Sequence, residues 1–338
     1  MTTFSTHVLN PLVHGTNLER ENAREALLEI LNGRIDPILI ASFLTALTAK
    51  GETADEMTGF IDAMMSTATT FEVDPGAIDL VGTGGDQLHT VNISTMAALA
   101  VAGCGVKVAK HGNRAASSSV GSADVLEALG VRLDVDATTV QACLEAANIG
   151  FLFAPTFHPA LRYLGPIRKE LGFRTIFNVL GPLANPALVE RALIGVAQRH
   201  LLDHMAQVLH ARGIRYAVLV NANDGLDELS LGAGSTLRVI SPQSVETRSL
   251  DAPGELGLHH DVASIRGGDV EHNVRVVRDF LRGEPSAVFD VVCANAGLAL
   301  MVAGRASGLR EGFELAASSV RNGNAAVALE RLVGTSNA

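Results

Sequence analysis

Three stretches of the chain gather residue types that can handle a phosphorylated ligand. The first is Gly82-Thr83-Gly84-Gly85-Asp86, which directly follows a β-prone segment, with Asn92-Ile93-Ser94-Thr95 a few residues on where a helix begins. Glycines permit positive φ and close backbone approach, so several N–H groups can converge on phosphate oxygens. Taken alone, an ordinary βα turn is the more frequent explanation. A dinucleotide-binding glycine pattern is disfavoured because its sixth position is Gln87, and no lysine follows as a Walker loop requires. Ser94 and Thr95 stand where they can cap the helix, and the same geometry turns its positive end toward an anion; the two roles can coexist.

The second stretch is Lys110-His111-Gly112-Asn113-Arg114, followed by Ser117, Ser118 and Ser119 and by a helix start at Gly121-Ser122-Ala123-Asp124. Cations, an amide, hydroxyls and small residues between a strand end and a helix start supply charge pairing, donors and room for a phosphorylated sugar. A solvated basic loop would be favoured if either cation stood alone. The third stretch is Asp224-Gly225-Leu226-Asp227-Glu228. Adjacent carboxylates repel unless a cation sits between them, and Mg²⁺ shared with substrate phosphates is a standard solution. A lone acidic pair is more often a solvated turn.

The surrounding pattern says what must position these residues. Leu18 to Phe71 reads as helical throughout, with Ile38, Phe43, Leu44 and Leu47 at three- and four-residue steps and Thr53/Glu56 as a capping box. From Ala77 short β-prone runs alternate with Ala- and Leu-rich helical runs, the signature of a mainly parallel sheet. Candidate strands are 77–81, 106–109, 149–154, 192–197 and 215–221, with Gly130 and Gly213 as helix stop signals. Leu161 to Leu171 reads as helix within a Pro-punctuated region, and Asn295 to Gly304 as one more packed helix. The expected architecture is α/β: a small all-helical domain (residues 1–72, joined by helices from about 158–185) and a large α/β domain (73–338) with a mainly parallel sheet flanked by helices. All three motif stretches then fall at carboxyl ends of strands, where open α/β sheets bind ligands.

Composition narrows the class. With 338 residues, 47% hydrophobic and 18% charged, the chain can bury a sizeable core. Cys104, Cys143 and Cys293 are an odd set without CxxC spacing, which argues for reduced, packed thiols rather than a disulfide framework or a zinc ribbon. A net charge of −10 disfavours non-specific nucleic-acid binding, so an anionic ligand needs a local basic pocket. No apolar run approaches the ~18 residues of a membrane span, and the start lacks a signal-peptide pattern, so a cytoplasmic protein without membrane partners is expected.

Together, GTGGD at 82–86, NIST at 92–95, KHGNR at 110–114, GSADVLEALG at 121–130, FNVLGPLANP at 177–186 and DGLDE at 224–228 resemble the anthranilate phosphoribosyltransferase family. The resemblance runs from about Ala77 to Leu231. It implies the nucleoside phosphorylase/phosphoribosyltransferase architecture, a homodimer formed through the small domain, and transfer of a phosphoribosyl group from phosphoribosyl pyrophosphate to the amine of anthranilate in tryptophan biosynthesis. It implies that Gly82, Gly85, Asp86, Thr90, Asn92, Ile93, Ser94 and Thr95 hold pyrophosphate and ribose, and that Lys110, His111, Gly112, Asn113, Arg114, Ala115, Ala116, Ser117, Ser118 and Ser122 complete that site. Ser94, Asp227 and Glu228 would anchor Mg²⁺; Gly82, Asn113, His158 and Arg168 would meet anthranilate. His158 and Arg168 are expected on one Pro-punctuated helix.

The sequence departs from the family pattern at Gln87, at Ser119-Val120 and at Asn221. An oxocarbenium-like displacement at the ribose C1 depends on positioning and charge stabilisation more than on a strong base, so no general base is assigned. A pyrimidine nucleoside phosphorylase, opposed by KHGNR and the acidic pair, and a nucleic-acid-binding paralogue, opposed by the acidic composition, are the rival readings.

Overall fold

In the computed structural model, residues 3–115 and 120–338 are described. Their elements begin with a short helical turn over Ser5–Leu9 and Asn10–Val13, followed by helices Arg20–Leu31, Pro37–Lys50 and Ala54–Ser66. Local chemistry sets these limits. Asp36 accepts from the Ile38 N–H with Pro37 at the first helical position, and Thr53 and Glu56 form a reciprocal capping box. The helical pattern does not reach Phe71: residues 67–73 run irregularly across to the 153–187 region, where the Thr69 N–H donates to Phe157 O.

A seven-stranded sheet follows, in the order β3-β2-β1-β4-β5-β6-β7. Its strands are β1 Ile78–Gly82, β2 Val108–Gly112, β3 Ile149–Phe153, β4 Arg191–Gly195, β5 Tyr216–Ala222, β6 Ser235–Ile240 and β7 Val245–Leu250. The first five are parallel; β6 and β7 add antiparallel to β5 and were not expected from the sequence. β7 (VETRSL) is almost wholly exposed, so it has no apolar run to announce it, and Glu246 and Arg248 place charge on the sheet edge. β2 starts two residues later than expected and takes in Lys110, His111 and Gly112, which are therefore strand residues rather than loop residues.

Alternation along the strands divides the interior. Leu193, Val218 and Val220 face one core with helices Ile93–Gly103, Ala287–Val302, Leu309–Arg321 and Asn324–Ser336. Ala192, Ile194, Ala217 and Leu219 face a second core, shared with helix Leu201–Ala211, the N-terminal helices and residues Leu164, Ile176, Phe177 and Leu180. Gly130 and Gly213 follow helix ends with φ +98° and +74°, as their placement predicts. Ile38, expected on the buried face, is 76% exposed; Ile40 is the residue that packs beside Phe43, Leu44 and Leu47.

Two further corrections bear on the site. The segment read as one helix is broken into a 3₁₀ turn Pro159–Tyr163 and a helix Gly165–Leu171, so His158 and Arg168 do not share a helix. The helix expected from Asn295 begins at Ala287, where Ser286 accepts from the Phe289 N–H. All three cysteines are free, with Cys143 and Cys293 buried. Among the described residues, no helix is long and apolar enough to cross a membrane.

Candidate active site

β1 pairs with β4 over five residues but with β2 at only one, Ile78 with Val108. Beyond that pair no further ladder bridge joins the two strands, and a cavity of about 330 Å³ lies at their carboxyl ends. The loop after β1 forms its first wall. Thr83 ties the loop to the end of β4, its N–H donating to Gly195 O and its Oγ1 accepting from the Ala197 N–H. Gly84 and Gly85 then take φ of +61° and +79°. A Cβ on Gly84 would meet open space, whereas one on Gly85 would overlap the Arg174 guanidinium, which lies against the loop and donates to Thr83 O. A side chain at either position is strained by its positive φ.

Gln87 and His89 also have positive φ, +62° and +52°. Gln87 is the first departure from the family pattern, and this is why glycine suits the position: a side chain there costs about 1 kcal/mol of strain. Asn221, another departure, lies outside the cavity lining, buried, and donates to Val196 O and Ala197 O, holding β5 to the end of β4. It is a structural tie.

The helix after the loop is not capped by Ser94 or Thr95. Its N-cap is Asn92, whose side chain instead donates to Val120 O and accepts from Asn273. The Ser94 N–H donates to Glu228 Oε1 at 3.0 Å, so this chain's own carboxylate sits at the positive helix end. Asp227 beside it accepts from the Gly84 N–H at 2.8 Å. Asn295, buried in helix Ala287–Val302, accepts from the Leu229 N–H and donates to Leu229 O, which fixes the acidic segment from behind.

Asp227 and Glu228 thus each accept one backbone N–H. Burial and the neighbouring Asp86 charge push Asp227 up to about 7; burial and Asp227 push Glu228 well above the ordinary carboxylate range. Asp86 Oδ2 is buried with no hydrogen-bond partner among the described residues. Fully buried Lys110 donates to Leu80 O and Ser94 Oγ; burial lowers its affinity for a proton while Asp79 and Glu228 raise it. Two adjacent oxygen-donor carboxylates whose charge is resisted by burial suit a hard divalent cation. Among the described residues no group of three or more His, Cys, Asp or Glu is arranged as a protein-only metal cage.

The opposite wall has different chemistry. His111 Nδ1 and Gly181 O are 3.2 Å apart, and His158 Nε2 and Ala184 O 2.9 Å. A carbonyl can only accept, so each of those nitrogens carries the proton and the other ring nitrogen carries a lone pair. His111 Nε2 and His158 Nδ1 are buried without partners among the described residues, and the two rings pack at 5.3 Å. Burial, reinforced by His158, holds His111 down at about 3, and burial lowers His158 too, so both are neutral near pH 7. Arg168 donates to Asn178 Oδ1 and lies 5.7 Å from the Phe177 ring.

Every described residue assigned to a substrate or to the metal lines this cavity: Gly82, Gly85, Asp86, Thr90 and 92–95 on the first wall, 110–115 and Ser122 on the second, His158 and Arg168 opposite, Asp227 and Glu228 at the base. Ala116, Ser117 and Ser118 lie outside the described residues. Arg114 lines the mouth, where it pairs with Glu127 and Asp124. Sequence reasoning missed Phe177, Asn178, Gly181 and Pro182, which also line the cavity, and Arg174 over the glycine loop. FNVLGPLANP carried the signal for the first four.

Residues 74–326 match the model of the glycosyl transferase family, a/b domain, and residues 6–68 that of the glycosyl transferase family, helical bundle domain. Fold and site thus define a glycosyl transferase. The chain is 48% identical over 336 residues to the anthranilate phosphoribosyltransferase of Thermomicrobium roseum, covering 98% of this chain and 97% of that one. The structure is similar to anthranilate phosphoribosyltransferase from Thermus thermophilus (TM-score 0.91, 39% identity, 98% of this chain and 100% of that one). It is also similar to the Saccharomyces cerevisiae enzyme in complex with PRPP and Mg (TM-score 0.90, 28% identity, 99% and 98%). The chain belongs to the anthranilate phosphoribosyltransferase family.

Proposed function

We propose that this chain transfers the phosphoribosyl group of phosphoribosyl pyrophosphate to the amine of anthranilate, releasing pyrophosphate, as a step of tryptophan biosynthesis. The observation that carries the reading is the polarity of this cavity: backbone N–H groups, cations and buried carboxylates on one side, a neutral histidine pair and an arginine on the other. The glycine loop and 92–95, with Lys110 to Arg114 and Ser122, would take pyrophosphate and ribose, and the His111 ring, packed on His158, would also face the acceptor. Ser94, Asp227 and Glu228 would hold Mg²⁺, with substrate phosphates supplying the remaining ligands. When bound, that ion neutralises charge on the departing pyrophosphate.

On the acceptor side, Arg168 pairs with the anthranilate carboxylate, and Asn113 and His158 bond its polar groups beside Gly82. Neutral imidazoles accept from the amine N–H groups and bring no positive charge to a nucleophile that must stay neutral. The amine and C1 are brought together in one crevice, and positioning rather than a strong base supplies the rate enhancement. A homodimer would form through a helical domain of residues 1–72 joined by 158–185, with residues 73–338 forming the α/β domain. We place the protein in the cytoplasm.

The test is to mix protein, phosphoribosyl pyrophosphate and Mg²⁺ with anthranilate and follow anthranilate fluorescence. Loss of fluorescence that requires all components, with phosphoribosylanthranilate identified by mass spectrometry, is the expected result. No product, with phosphorolysis of thymidine instead, would favour a nucleoside phosphorylase.

A further inference from the structure

Where the β1–β2 ladder stops, side chains take its backbone groups. In a parallel ladder the bonds are evenly spaced, and Ile78 N–H to Lys107 O begins one here. Continued, it would use Leu80 O on β1 and Ala109 O and His111 N–H on β2. Instead Lys110 Nζ donates to Leu80 O at 2.5 Å, Asn185 Nδ2 to Ala109 O at 2.8 Å, and the His111 N–H to Asp79 Oδ1 at 3.2 Å. Asp79 Oδ2 also accepts from Asn185 Nδ2 at 2.7 Å, and Asn185 Oδ1 accepts from the Ala187 N–H. Asp79 and Asn185 are buried, and neither lines the cavity.

We propose that Asp79 and Asn185 form a polar wedge that holds β2 off β1 and thereby positions the two acceptor-side histidines. The wedge reaches both. Asp79 grips the backbone of His111 directly, and Asn185 fixes the turn whose Gly181 and Ala184 carbonyls set the proton positions of His111 and His158. A buried carboxylate taking two donors, one from the strand and one from the turn, sets the spacing between them. An amide cannot replace it, because one of its two ends is a donor and would face a donor. Asp79 and Asn185 are therefore positioning residues for the acceptor, not groups that touch it; this inference rests on the anthranilate reading above.

Asp79→Asn, Asn185→Ala and the double variant test it, assayed well below their melting temperatures. The expected result is an anthranilate KM raised about tenfold in each single variant, the scale of one lost charge-assisted hydrogen bond. Phosphoribosyl pyrophosphate affinity by calorimetry stays within about twofold, and the double variant is no worse than the weaker single, since both break one network. In parallel, nitrogen-15 NMR of the imidazoles should show His111 protonated at Nδ1 and His158 at Nε2 in the native protein, and Asp79→Asn should shift these two alone. Should Asp79→Asn not fold, Asn185→Ala carries the same expectation. Donor and acceptor constants that move together, or a lowered melting temperature with both constants unchanged, would overturn the wedge. Native protein that forms no phosphoribosylanthranilate would overturn the function instead, and the NMR result would still decide whether the wedge sets the tautomers.

Discussion

Two buried carboxylates, Glu56 among the N-terminal helices and Asp227 in the crevice, differ in how completely the fold satisfies them. Glu56 accepts from the Leu18 and Thr53 N–H groups and pairs with Lys50 at 2.9 Å, with both side chains all but enclosed. Its partners are mostly local. Asp227 takes one N–H from a loop 143 residues away, faces Asp86 and Arg174, and is pushed up to about 7. A buried charge with a full set of partners holds structure together; one left short is arranged for a ligand.

The comparison can be broken most forcefully at Glu56. Glu56→Ala takes the carboxylate partner from Lys50, leaving it Asn17 Oδ1 and Gly51 O, and unpairs the Leu18 and Thr53 N–H groups; it should lower stability by about 3 kcal/mol in denaturant unfolding, with both substrate KM values unchanged at temperatures where the variant is folded. A changed KM with native stability would reverse the distinction. Next in size is Arg168→Ala, expected to weaken anthranilate use by about 1.5–3 kcal/mol in kcat/KM, with a smaller effect on the donor. An unchanged specificity constant would remove Arg168 from the acceptor site.

Asp227 is tested through its pH dependence. Because Asp227 is raised from 3.8 to about 7, the folded chain holds a proton that the unfolded chain has released. Its stabilising share is complete below about pH 3.8 and is lost as pH rises to about 7, with no further loss above. Native protein without metal should therefore lose a few degrees of melting temperature relative to Asp227→Asn between pH 4 and 7. The variant is the proper reference, since His111, held at about 3, shifts stability in the opposite direction below 6.5 in both proteins. Parallel melting curves for the two proteins would mean that Asp227 is adequately solvated.

What the sequence made legible follows the range of the interactions involved. The Thr53/Glu56 box and the glycines after helices act over a few residues, and five parallel strands showed as apolar runs. β6 and β7 were illegible because an exposed edge strand needs no apolar face. The motif glycines, cations and acids were visible by type, but their convergence depends on where the β1–β2 ladder stops. Asp79 and Asn185 join across 106 residues, and Arg174 meets Thr83 across 91. An aspartate inside the run Ile78-Asp79-Leu80-Val81 was the available signal, since a charge in a buried strand requires a partner from elsewhere.

On the proposed function, Asp227 and Glu228 carry buried charge that a metal-bound pyrophosphate would complete. Replacing both, as Asp227→Asn with Glu228→Gln, keeps their size and removes the charge that draws a cation. Over a full Mg²⁺ titration at saturating anthranilate, activity should fall by at least about 10²-fold and recover in part at high Mg²⁺, with the circular dichroism of the native fold retained. Native kinetics in the double variant, with unchanged Mg²⁺ dependence, would contradict the account.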